Sequence, residues 1–278
     1  MEIQAFLSEP VRYSRPVHGG DINESFCIET SGGKYFLKTN DAAKFPRMLE
    51  KEARGLHWLR KHCTLKIPHV IRQGVFEQYQ FLLLEWLEPS GSTGKDWENF
   101  GRSLAMMHRE TNGLFGWDES NYIGSLPQLN NRTETWAAFY SEQRILPMVN
   151  LLCLNGSFDT GDRNKADKFC SRLEDLFPRE PPSLLHGDLW SGNFMFTSQG
   201  SAVFDPATYY GHREMDIGMS LLFGGFDPRF YAAYEEMYPM TGSWKERLPF
   251  TQLYPLLVHA ILFGGSYVQK CRQVLRAI

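Results

Sequence analysis

Asp188, Asn193 and Asp205 are the residues of this sequence best suited by type and spacing to do chemistry. The first two stand in His186-Gly187-Asp188-Leu189-Trp190-Ser191-Gly192-Asn193, the third in Phe204-Asp205-Pro206. The pattern His-x-Asp-x-x-x-x-Asn has the spacing of a phosphoryl-transfer loop, in which the Asp orients an attacking hydroxyl and the Asn binds a metal ion. Such a transfer asks little covalent chemistry of the protein. It needs an in-line nucleophile and cations over the phosphates. A carboxylate at Asp188 can accept the hydroxyl's hydrogen bond, Asn193 offers magnesium a neutral oxygen, and Asp205 offers an anionic one. Taken singly these pieces are ordinary, and an Asp before Pro is usually a turn residue. Their order makes the case, with the apolar pairs Met195-Phe196 and Val203-Phe204 between them predicting a hairpin. His186 is expected to brace the loop through backbone hydrogen bonds rather than to react. A hydrolase holding a metal on His186, Asp188 and Asp205 is the competing chemistry, but the other histidines form no His-x-x-x-His pattern or other clear ligand cluster.

A phosphoryl-transfer loop requires an ATP-holding half, and the first part of the chain has candidates for it. Ser25 to Glu29 and Lys34 to Thr39 alternate around Ser31-Gly32-Gly33, which predicts a hairpin. Apolar residues at helical spacing from Phe45 to Leu59 predict a helix, and Val75-Phe76 with Gln80 to Leu87 a second hairpin. Lys38 falls on the second strand of the first hairpin. Glu52, near the centre of the helix's apolar pattern, is placed to pair with it and aim it at the α- and β-phosphates, with Glu50 as the rival glutamate. Gly19 and Gly20, before the first hairpin, could cover phosphates with backbone N–H groups. Glu85, Trp86, Leu87 and Glu88 end the last strand, where backbone groups could read an adenine edge. No Gly-x-x-x-x-Gly-Lys-Ser/Thr is present, so a P-loop nucleotidase is not supported.

Beyond Glu88 the pattern turns helical, roughly over 95–110, 132–154, 163–177, 213–222, 227–237 and 244–275, with breaks expected near Pro249 and Pro255. The prediction is an α+β, two-lobed chain: residues 1–87 a small antiparallel-sheet lobe that binds ATP, residues 88–278 a larger helical lobe carrying the loop and the substrate site. The net charge of −3 carries no basic excess of the kind nucleic acid or acidic membranes attract. Five scattered cysteines without a Cys-x-x-Cys pair fit a reducing compartment rather than a disulfide framework or a zinc site. The start of the chain lacks a basic segment followed by an apolar run, and apolar runs are too short to span a bilayer. A cytoplasmic, monomeric protein is the expectation.

Several segments together resemble the fructosamine/ketosamine kinases, within the wider aminoglycoside-phosphotransferase and choline-kinase-like group with its protein-kinase-like fold. They are Leu185 to Asn193, Phe204-Asp205-Pro206-Ala207, Tyr210 to Asp216, Glu52 to Leu56, Phe115-Gly116-Trp117, Asn121-Tyr122-Ile123-Gly124, Gln128-Leu129-Asn130 and Phe223 to Phe226. The similarity spans nearly the whole chain, and Trp190-Ser191-Gly192 after His-Gly-Asp-Leu is its most family-specific part. The resemblance implies ATP- and Mg2+-dependent phosphorylation of the 3-hydroxyl of a ketosamine, free or protein-bound. The product is unstable and frees the amine, a deglycation. It implies Asp188 as proton acceptor, Asn193 and Asp205 on magnesium, Lys38 and Glu52 on ATP, and 86–88 as the adenine hinge. Trp190 and His212 are candidates to touch the sugar, and Asp216 is expected to brace the loop. Two departures bear on this. Asp21 stands where many relatives carry a Cys, so thiol regulation at that turn is not expected. Gly187 replaces the Arg of protein kinases and no Ala-Pro-Glu follows, which argues against a phosphorylation-switched protein kinase. A kinase of aminoglycosides or choline, and a nucleotide-binding pseudokinase, are the alternatives.

Overall fold

The computed structural model describes residues 3–17 and 22–277. After a short 3-10 turn, Ile3–Phe6, five strands form one antiparallel sheet: β1 Tyr13–Pro16, β2 Glu24–Glu29, β3 Lys34–Asp41, β4 Val70–Phe76 and β5 Tyr79–Glu85, in the order β1-β2-β3-β5-β4. Helix α1, Met48–His62, lies between β3 and β4 in sequence. Side chains alternate across a strand, and β5 buries both sets. Phe81 and Leu83 pack with Phe6, Ile28 and Leu37, while Leu82 and Leu84 pack with Leu49, Ala53, Leu56 and Leu59 of α1. That accounts for its unbroken apolar run. Because Leu37 faces away from α1, its neighbours Phe36 and Lys38 face toward it.

Residues 86–93 carry the chain to α2, Gly94–His108, whose start is fixed by a capping box between Thr93 and Asp96. Then follow the small hairpin β6 Asn121–Ile123 and β7 Leu126–Gln128, α3 Trp136–Phe139, a π-helical stretch Tyr140–Ile145, α4 Leu146–Leu154, α5 Thr160–Ser171 and α6 Leu173–Leu176. Strand β8, Ser183–Leu185, pairs with β11, Tyr209–Gly211, and between them stands the hairpin β9 Phe194–Thr197 and β10 Gly200–Val203. Helices α7 Glu214–Leu222, α8 Pro228–Met237, α9 Trp244–Phe263 and α10 Ser266–Arg276 complete the lobe. Helix α8 packs closely on α2 at Gly101, where a Cβ would overlap the Phe230 carbonyl.

All three expected hairpins and all the expected helical regions are present. The breaks foreseen at Pro249 and Pro255 are not: α9 runs through both prolines. Each proline removes only one backbone donor, and burial of Leu253 to Val258 holds the helix around them. The chain turns instead at Gly264 and Gly265, both at positive φ, a conformation that suits glycine. The sheet lobe meets the helical lobe along one edge through backbone bonds. Lys66 N–H donates to Ser201 O at 3.0 Å, Val203 N–H to Lys66 O at 3.0 Å, and Ser90 N–H to Phe196 O at 2.8 Å.

Candidate active site

The loop from His186 to Asn193 leaves β8 and enters β9, and buried side chains hold it from below. Asp216, near the start of α7, accepts the backbone N–H of His186 at 2.8 Å and of Gly187 at 2.9 Å. His186 is fully buried; its Nε2 donates to Phe204 O at 3.0 Å and its Nδ1 accepts the Asp188 N–H at 3.3 Å. It braces the loop, as expected. Gly187 sits at φ 84, and a Cβ there would overlap the Ala207 carbonyl oxygen. The Arg that protein kinases carry at this point has no room.

Asn193 turns its Nδ2 to Asp188, donating to the backbone oxygen at 2.9 Å and to Oδ2 at 3.0 Å. The amide's Oδ1 therefore points elsewhere, and Asp188 keeps its other oxygen without a protein donor among the described residues. Burial first, then the nearby Asp205 charge, push the Asp188 carboxyl up to about 7, with the Asn193 hydrogen bond opposing. Asp205 follows the β10 strand at φ 55 and is more exposed, at 37% of its side chain. From the opposite lobe, Lys38 reaches Glu52 at 2.8 Å and bonds to Asp205. Burial opposes the Lys38 charge, but Asp205 and Glu52 outweigh it and raise the ammonium's pKa. Glu50, the rival glutamate, pairs with Arg47 at 2.7 Å on the surface instead.

These five residues converge on a cavity of about 200 Å3 that Lys38, Glu52, Asp188, Asn193 and Asp205 all line. No cluster of three or more His, Cys, Asp or Glu able to hold a metal exists among the described residues. A magnesium ion bound with nucleotide keeps much of its coordination for water and phosphate and takes only one or two protein oxygens. The Asp205 carboxylate and the free amide oxygen of Asn193 are such a pair. Beside them lies an apolar slot of about 220 Å3, between Val17 and Phe36 above, Met195 and Phe204 below, and Trp86 and Leu87 at the connection. Glu85 also borders it, with its carboxylate tied to Lys66 at 2.7 Å. Glu88 does not: its side chain turns outward to Lys34 at 3.3 Å. Gly19 and Gly20 lie outside the described residues.

On the far side of Asp188 a larger cavity of about 670 Å3 opens, and Trp190 stands between the two, lining both. The other sugar candidate, His212, is not brought to either. It is fully buried with its ring against Trp136 and Phe177, and its Nε2 lies 3.8 Å from Glu180. Burial lowers its pKa and keeps it neutral; its place in the sequence beside the β11 strand turns it into the helical core.

Two buried networks support the site through residues whose roles sequence reasoning missed. His108 of α2 accepts from Tyr234 Oη of α8 at 2.8 Å and donates to Asp216 Oδ2 at 3.2 Å, so three helices fix the brace under the loop. A lone histidine in an amphipathic helix offers no pattern from which to find this. The second network is built on Asn121, Gln128 and Asn130. Gln128 donates to Ala207 O at 3.0 Å and Asn121 to Thr208 O at 2.9 Å, which pins the backbone just after Asp205. Arg144, fully buried in the π-helical stretch, donates to Asn130 Oδ1 at 2.7 Å and lies 4.1 Å from the centre of the Tyr209 ring. Among the described residues it has no carboxylate partner, so carbonyls and aromatic faces alone compensate its charge. The crowding of side-chain amides over 121–130 was the available signal.

The chain matches the fructosamine kinase family over residues 3–278. A protein of Enterococcus faecium assigned as a ketoamine kinase is 39% identical over 280 residues, covering 99% of each chain. A solved protein of Haemophilus somnus assigned as a fructosamine-3-kinase superposes with a TM-score of 0.88 at 29% identity, over 97% of this chain and 92% of its own. An aminoglycoside phosphotransferase, solved in ternary complex with AMP-PNP and hygromycin B, superposes with a TM-score of 0.64 at 16% identity, over 96% of this chain and 95% of that one. That last likeness speaks to the fold alone, a protein-kinase-like pair of lobes. With Lys38, Glu52, Asp188, Asn193 and Asp205 gathered in one cleft, and the match running from end to end, the chain belongs to the fructosamine kinase family of phosphotransferases.

Proposed function

We propose that this protein transfers the γ-phosphoryl group of ATP, with magnesium, to the 3-hydroxyl of a ketosamine, and that the phosphorylated adduct then breaks down to release the amine. The observation that carries this reading is the position of Asp188. Asp188 lines both the cavity that Lys38, Asn193 and Asp205 share and the larger one that Phe223, Phe263 and Tyr267 wall. A hydroxyl entering from the larger side meets a base before it meets the phosphate.

In this reading the adenine fills the apolar slot by Trp86 and Leu87, and Lys38, held charged by its two carboxylates, binds the phosphates. Asp205 and Asn193 hold the magnesium ion, which when bound neutralises phosphate charge. Asp188 takes the acceptor's hydroxyl proton as the new oxygen–phosphorus bond forms and the bond to the β-phosphate oxygen breaks. Trp190 offers an aromatic face to the sugar. The test is phosphorylation of synthetic fructosamine and ribulosamine adducts by purified protein with magnesium-ATP, with the position of the phosphate read by phosphorus NMR and free amine followed over time. Turnover of choline or an aminoglycoside, with none of any ketosamine, would sink the proposal.

A further inference from the structure

The 670 Å3 cavity beside Asp188 is lined by the aromatic rings of Trp190, Phe223, Phe263 and Tyr267. Its described lining includes one carboxyl side chain, Asp188, and one lysine, Lys44, in the turn between β3 and α1. His259, also on the lining, donates its Nδ1 proton to Pro255 O at 2.8 Å, and burial lowers its pKa, so it faces the cavity as a neutral ring. The turn carrying Lys44 is held in shape: Asp41 Oδ1 accepts the backbone N–H of both Ala43 and Lys44 at 2.8 Å. The ammonium lies 5.1 Å from the centre of the Phe45 ring and has no carboxylate partner among the described residues. By contrast Lys34, Lys38 and Lys66 are each paired with one.

The cavity thus brings together the Asp188 carboxyl group, several aromatic faces and a lysine without a carboxylate partner. That is the complement of a zwitterion. A ketosamine built on a free amino acid has this form: hydroxyls on the sugar, a secondary ammonium at the junction, a carboxylate one or two bonds beyond. An ammonium is stabilised over aromatic faces, and a carboxylate by a lysine that has no other partner. We propose that Lys44 is a specificity determinant that selects ketosamines carrying a carboxylate next to the glycated nitrogen, so that glycated free amino acids are favoured over glycated side chains within a protein. The inference rests on the ketosamine reading above.

The experiment compares two adducts of the same sugar, one on glycine and one on glycinamide, which differ in the carboxylate charge, at a pH low enough to protonate the amine of both. The wild-type protein is expected to favour the glycine adduct by about fivefold in kcat/KM, through KM, as suits one ion pair at a half-open rim. In Lys44→Met the ratio is expected to fall to about one, and in Lys44→Glu to invert; added salt is expected to erode the wild-type preference. Equal turnover of the two adducts by wild type, or a preference that survives in Lys44→Met, overturns the role of Lys44 and leaves the ketosamine reading standing. Turnover of neither adduct, nor of any other ketosamine, overturns that reading and this inference with it.

Discussion

The proposed reaction makes Asp188 a base in surroundings that disfavour its charge, and that conflict is measurable. Its carboxyl is pushed up to about 7 from an ordinary value of 3.8. The folded state therefore binds a proton that the unfolded state has already lost across that interval. Its contribution to stability is most favourable below the unfolded value and is lost as pH rises through the folded one. Asp188→Asn, which keeps the shape and can still accept from Asn193, is expected to melt higher than wild type at pH 8, with the gain shrinking toward pH 4. A difference in melting temperature that does not change with pH would contradict this account. For turnover, Asp188→Ala is expected to cost about 10²–10⁴ in kcat with little change in ATP affinity, whereas Asp205→Asn is expected to weaken magnesium-ATP binding as well. Calorimetric titration of both variants separates the two roles, and equal losses of affinity would contradict the division. The sequence made these residues legible because the chemistry demands particular types at short spacing. It misled at His212, since a histidine turned into a core and one turned toward a sugar look alike in one dimension. Only the packing of Trp136 and Phe177 around the ring tells them apart.

Between elements, the contact of α2 with α8 matters most for the site, because it sets His108 against Tyr234 and so carries the support for Asp216. The helices approach closely enough that Gly101 touches the backbone of α8. Gly101→Ala has to push the pair apart, and is expected to destabilise the protein by roughly 1–3 kcal/mol. Thermal melts and kcat measured together check this, with both expected to fall as the brace moves. An unchanged melting temperature would show that the crossing has slack. The helices themselves were legible from apolar spacing, down to within a few residues of α2, α7 and α8. The hairpin of β6 and β7 and the pairing of β8 with β11 were not. Three-residue strands hold too few side chains to show a period, and their stability comes from networks such as Gln128 with Ala207 that join distant parts of the chain. The two prolines of α9 show the limit of local rules, since tertiary burial kept a helix that each proline alone would interrupt.

Across the whole molecule, the two lobes meet at the centre of the cleft through Lys38 and Asp205, one residue from each. A nucleotide held by both is expected to stabilise the pair. Magnesium-ATP at about a hundred times its dissociation constant is expected to raise the melting temperature by roughly 5–10 °C. Lys38→Met is expected to lose most of that shift, and retention of the full shift would argue that phosphates do not bind between the lobes. The division into a sheet lobe and a helical lobe could be read from the change in periodicity near Glu88. What could not be read is how the lobes are joined, because that depends on single backbone bonds. Lys66 with Ser201 and Val203, and Ser90 with Phe196, fasten one edge of the cleft beside the apolar slot at Trp86. The other side of the cleft is tied as well: Tyr122 Oη donates to Pro46 O at 3.1 Å, two residues from Lys44, and Arg54 of α1 bonds to Glu119. Bound at both margins, the cleft is expected to behave as a closed frame rather than a hinge, so that an incoming molecule is accommodated by side chains more than by rotation of one lobe against the other.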